Sequence, residues 1–146
     1  MKKQICYASI ILFAIGIAIN SCSKSKSSNV TPTNSNFVGT YKFSSETGKP
    51  GTGPQFNAFD SLAPCERDDE VRFNADSSYD YLDVGTVCSP TASYSGTWYL
   101  QNSKTLVLDL SSVYTIQSFN NKTLVLVFTD TYTSPATVYT LTLAKQ

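Results

Sequence analysis

Histidine is absent from all 146 residues of this chain. That lack removes Ser-His-Asp and Cys-His nucleophiles, histidine zinc sites and imidazole general-base catalysis near neutral pH. Charge is sparse too: Asp, Glu, Lys and Arg make up 15% of the chain and balance to a formal net charge of zero. No basic cluster interrupts the sequence, so the electrostatic footprint of a nucleic-acid binder is missing. Beyond residue 37 no stretch carries apolar residues at the 3.6-residue period of an amphipathic helix. The one long apolar run, Ile5 to Ile19, has fifteen residues, short of the roughly 20 that a membrane span needs. The expectation is a non-enzymatic β protein without cofactor or metal.

What is present begins with an export signal. Lys2 and Lys3 precede the apolar run, which ends Ile19-Asn20-Ser21-Cys22. A positive start, a short greasy core and a small residue before the cut describe a segment that is removed from the mature protein. The junction resembles a bacterial lipobox, which implies that residues 1–21 are a signal peptide and that Cys22 receives the lipid, with acyl chains of the palmitate type. Two or three such chains, at about 0.8 kcal/mol per buried methylene, hold a protein to a membrane where one would not. Residues 22–36 contain no sizeable hydrophobe except Val30 and read as a flexible tether. The remaining 37–146 form one domain, and the mature side chains carry nine Lys/Arg against eleven Asp/Glu.

Thr, Val, Tyr, Phe and Leu dominate that domain, in short alternating runs separated by turn residues. The runs predict eight strands, roughly 37–44, 68–74, 78–85, 93–101, 104–110, 113–119, 122–129 and 136–144. Tight turns between neighbours predict an all-β, eight-stranded antiparallel up-and-down barrel, with a two-sheet β-sandwich as the alternative. Alternation places Val71 and Phe73, then Leu106, Leu108 and Leu110, on inward faces, followed by Leu124, Leu126 and Phe128, and by Tyr139, Leu141 and Leu143. Residues 45–64 break the rhythm with three Gly and three Pro, and carry Phe56, Phe59 and Leu62. Loops of that length are usually functional or disordered, and these hydrophobes suit a plug or a lid over one barrel end.

Export and lipidation leave Cys65 and Cys88 as the cysteines of the folded domain, and an oxidising compartment would pair them. Asn74, Asp76, Ser78 and Asp80 offer alternating oxygens that faintly resemble a calcium loop. The glycine and closing glutamate of such a loop are missing, and a polar hairpin turn explains the same residues.

Phe37-Val38-Gly39-Thr40-Tyr41, Cys65-x-x-Asp68-Asp69-x-x-x-Phe73, Cys88 and Ser95-Gly96-Thr97-Trp98 together resemble the lipocalin-like domains of Gram-negative envelope lipoproteins. The Gly39-Thr40-Tyr41 stretch is similar to the Gly-x-Trp of true lipocalins with Tyr in place of Trp. The late arginine that caps that Trp has no evident counterpart here. The resemblance implies a cup for a small hydrophobic or amphipathic ligand, with Tyr41, Phe56, Phe59, Phe73, Tyr81 and Trp98 as candidate contacts; Tyr79 and Tyr99 are further wall or rim candidates. The competing reading is a structural or protein-interaction lipoprotein with a packed interior. Ser23-Lys24-Ser25-Lys26 lacks the acidic residues that follow the lipid cysteine in surface-displayed relatives, which implies an outer-membrane protein facing the periplasm; a monomer is expected. Asp60-Ser61-Leu62 resembles a short O-glycosylation signal of such bacteria.

Overall fold

Alternating apolar and polar residues build strands that close on themselves. The computed structural model describes residues 28–146. Its strands are β1 (Gly39–Pro50), β2 (Phe56–Asn57), β3 (Glu70–Phe73), β4 (Ser78–Leu82), β5 (Tyr94–Asn102), β6 (Thr105–Leu108), β7 (Ser112–Phe119), β8 (Thr123–Asp130) and β9 (Thr137–Lys145). Neighbours in sequence pair antiparallel from β3 through β9, and β1 pairs both β3 and β9. That last pairing closes an eight-stranded up-and-down barrel and rejects the sandwich, whose sheets would keep free edges. β2 lies outside the closed set, against the distal half of β1.

The first strand differs from its expected bounds of 37–44. It starts at Gly39 and runs twelve residues, so the first six residues of the expected long loop are strand. Phe37 instead ends a single helical turn, α1 (Asn34–Phe37). Thr33 caps that turn: its hydroxyl accepts from the Asn36 N–H while the Asn36 side chain accepts from the Thr33 N–H at 2.8 Å. The end of the expected tether is therefore docked against the barrel, although most of its residues stay exposed. The Val30 N–H donates to the Phe119 carbonyl at 2.7 Å, and Val30 packs against the core. The apolar surface offered by Val30 and Phe37 offsets the ordering entropy that the polar composition alone would leave uncompensated.

Leu110 is a second correction. β6 stops at Leu108, Asp109 and Leu110 both take left-handed backbone (φ 50° and 61°), and the Ser111 N–H returns to the Leu108 carbonyl at 3.1 Å. This is a two-residue turn whose twist matches the flanking strands, and it turns Leu110 outward to 81% exposure.

The barrel has a filled end and an open end. At the filled end Phe37 inserts between Tyr41, Phe73, Trp98 and Phe119, with ring centroids 5.0–6.0 Å away. The Tyr41 hydroxyl donates to the Phe37 carbonyl at 2.7 Å, which fixes the helical turn over the barrel mouth. The Lys145 ammonium sits 5.3 Å from the Tyr41 ring centroid and donates to the Asn36 carbonyl at 2.7 Å. The cation over the first-strand aromatic, expected to be missing, is thus supplied by lysine rather than arginine, a cation–π contact closed by a hydrogen bond.

Candidate functional site

The open end carries a cup of about 220 Å³. Phe73, Val71, Leu106 and Leu143 make its floor, and Leu108, Leu126 and Leu141 its lower wall. Above them stand five half-buried or exposed rings. Phe43, Tyr81 and Tyr94 form one arc, with Phe43 to Tyr81 at 5.8 Å and Tyr81 stacked on Tyr94 at 5.0 Å. Tyr114 and Phe128 form the opposite arc, 5.5 Å apart, and it continues out of the cup through Tyr139, stacked on Phe128 at 5.1 Å. Phe56 extends the second arc, edge-on to Tyr139 at 6.3 Å. Its ring lies against Gly48, where any Cβ would collide with it. An outer groove under Phe56, lined also by Ala58, Leu62 and Tyr139, shares Glu46 and Phe128 with the cup.

Two phenols show the cup only their rings, because their hydroxyls are engaged elsewhere. Tyr81 donates to Asp69 at 2.8 Å, and Tyr79 donates to Asp109 at 2.7 Å. Burial first, and then these carboxylate partners, raise both phenols far above their ordinary value, so they stay neutral. Asp69 is fully buried, and its desolvation raises it against the hydrogen bond from Tyr81, which lowers it.

Glu46 is the one charged side chain lining the cup. Among the described residues its carboxylate forms no salt bridge, and burial alone raises its pKa. Its inward position depends on a bulge. Tyr41 and Phe43 alternate inward on β1, and the register with β9 then slips between Phe43 and Ser45. The slip turns Glu46 and Gly48 inward, where strict alternation would have chosen residues 45 and 47.

The sequence-derived contacts divide accordingly. Phe73 and Tyr81 line the cup, as does Tyr79, and Phe56 lines the adjoining groove. Tyr41 and Trp98 belong to the filled end instead: both are buried, and Trp98 donates its ring N–H to the Asn74 carbonyl at 3.0 Å. Trp98 itself does not line the cup; its ring meets Phe73 edge-on at 5.3 Å. Phe59 lies in a short 3-10 turn (Phe59–Ser61) and lines neither space, while Tyr99 is 41% exposed on the outer face. Glu46, Tyr94 and Tyr114 were missed. Alternation over β7 could have found Tyr114, but nothing local marks the bulge that selects Glu46.

Cys65 and Cys88 are disulfide-bonded with Cα atoms 5.2 Å apart. The bond joins the loop before β3 to the loop after β4, beside the open end. The residues resembling a calcium loop satisfy one another: Asn74 donates to Ser78 and Asp80, each at 3.0 Å, and Asp76 accepts from the Ser78 N–H at 3.0 Å. Arg72 also pairs with Asp80 at 3.1 Å, so these oxygens are spent on a hairpin. Cys22 lies outside the described residues.

A closed antiparallel barrel with a capped end and an aromatic cup is the setting for comparison with known proteins. The lipocalin-like domain model matches residues 37–126. The chain belongs to the lipocalin-like family. Among solved structures it is similar to bovine odorant binding protein in complex with a selenium-containing odorant, at 16% identity and a TM-score of 0.48, over 82% of this chain and 76% of that one. No curated protein matches. The lipocalin-like barrel is consistent with binding of a small hydrophobic molecule, the general non-enzymatic business of the family.

Proposed function

We propose that this protein is a lipid-anchored lipoprotein of the bacterial envelope whose lipocalin-like cup holds a small, largely hydrophobic ligand without chemical conversion. The observation that carries the reading is the cup itself: about 220 Å³ of apolar, aromatic-walled space, open at one end. A well-formed apolar cavity with a few polar groups is the default binding site of such a fold. Its volume lies below the roughly 300–1,000 Å³ of ordinary ligand pockets and above the roughly 150 Å³ that holds benzene. The ligand is accordingly a single ring or a short chain, not a long fatty acid lying within the barrel. The Ile19-Asn20-Ser21-Cys22 junction supports attachment through lipid on Cys22, and the Lys-containing residues after it support the periplasmic side of the outer membrane.

Two measurements test this. Native mass spectrometry of the protein titrated with small aromatic alcohols is expected to give saturable one-to-one complexes; absence of any complex overturns the binding reading. Expression of the precursor in a Gram-negative host is expected to give a product cut before Cys22 and carrying acyl mass, which Cys22→Ser abolishes. The packed, interaction-only reading draws on the filled end, where five buried rings pack against one another. It gains if no small molecule enters and Phe56 or Tyr139 variants lose an envelope partner.

A further inference from the structure

Resting on the cup as a binding site, we infer that its ligand is a small cation: a primary, secondary or quaternary amine carrying one ring or a short hydrocarbon chain. The geometry supplies the chemistry for both halves. The lower cup, with Leu106, Leu126 and Leu141, takes the hydrocarbon. The upper cup presents Glu46 among the faces and edges of Tyr81, Tyr94, Tyr114 and Phe128. Aromatic faces attract a cation through their quadrupole, and the attraction strengthens as water is removed.

Charge complementarity selects against the alternatives. The cup lining contains one carboxylate and no lysine or arginine. A fatty acid would bring a second carboxylate beside Glu46 with no cation to compensate it, and desolvation makes that pairing costly. A neutral alcohol can donate one hydrogen bond to Glu46 but leaves its charge uncompensated. Only a cation gives the carboxylate both a donor and a charge of opposite sign. The two phenols whose hydroxyls are tied to Asp69 and Asp109 cannot turn those donors toward a bound anion without breaking bonds of 2.8 and 2.7 Å. Tyr79 and Tyr81 thus offer the cup rings rather than donors. Its volume, about 220 Å³, suits an arylethylamine.

Three probes of nearly equal shape test the inference: 2-phenylethylamine, 2-phenylethanol and phenylacetate, titrated by calorimetry into the full chain held in phospholipid nanodiscs, with empty nanodiscs as the blank. The amine is expected to bind about tenfold tighter than the alcohol, with phenylacetate weakest. Glu46→Gln is expected to bring the amine to the level of the alcohol. The wild-type ranking needs no variant, so it stands even if Glu46→Gln folds poorly. If the alcohol or the acid binds as tightly as the amine, or if the amine preference survives Glu46→Gln, the cation inference is overturned and the hydrophobic cup remains. If none of the three binds, the cup reading itself falls and takes this inference with it.

Discussion

At the filled end of the barrel, Phe37 meets four rings at 5.0–6.0 Å, and all five residues are at most 3% exposed. At the open end, five rings of the same chemical kind stand in two arcs and leave space between them. Composition does not distinguish the two ends. The difference is one inserted side chain, brought by a capped helical turn that precedes the first strand. A barrel of eight strands has an interior just wide enough for side chains to fill, so a single extra ring decides between core and cup. The open end receives no such ring. Its loop residue Phe56 lies over Gly48 at the rim, not over the axis.

The largest expected effect comes from removing the inserted ring. Phe37→Ala should lower unfolding stability by about 3–5 kcal/mol, because it leaves a cavity among four rings that cannot collapse. Urea denaturation checks it, and a loss under 1 kcal/mol would mean that the filled end is not the stabilising half. Cys65→Ser with Cys88→Ser should cost about 3 kcal/mol in the chain-entropy account. The bond staples the loops around the open end, so the same variant should weaken ligand binding, whereas Phe37→Leu should not.

Phe56→Ala is a smaller test. The residue is 43% exposed, so its loss should cost about 1 kcal/mol or less while altering affinity through the exposed rim. An equal loss at Phe56 and Phe37 would erase the contrast between the ends.

The smallest effect is in pH dependence. Burial raises Glu46 and Asp69, so their favourable contribution is complete below their unfolded values of 4.5 and 3.8 and fades as pH rises through the higher folded values. Hydrogen bonds lower Asp76, Asp80, Asp83 and Asp109, chiefly from Ser78, Ser95, the Ala92 N–H and Tyr79 respectively. These four contribute above the unfolded value of 3.8, and their contribution is lost as pH falls through the lower folded values. Thermal unfolding should therefore show a shallow stability maximum at mildly acidic pH, and Glu46→Gln should reduce the rise between pH 7 and that maximum. A steady fall in melting temperature from pH 7 to 5 would contradict it.

Most strands were legible because they rest on local rules. Polar and apolar residues alternate along β9, Asn120-Asn121-Lys122 turns the chain from β7 into β8, and the expected bounds of β8 and β9 differ from the observed ones by a residue. The Cys65–Cys88 bond followed from elimination among four cysteines. Tyr41 and Trp98 were assigned to a ligand wall because alternation identifies an inward face but not a depth along the barrel axis. Glu46 was hidden because a bulge inverted the alternation that would have turned it outward.

The sequence by itself determined the fold class, the inward faces of most strands and the pairing of the folded domain's cysteines, because period-two patterning and chain chemistry are properties of neighbours. Only the tertiary structure decided which end is solid and which is hollow. That outcome depends on β1–β9 closure, on the slip after Phe43 and on where Phe37 lands, and each is a meeting of residues far apart in the chain.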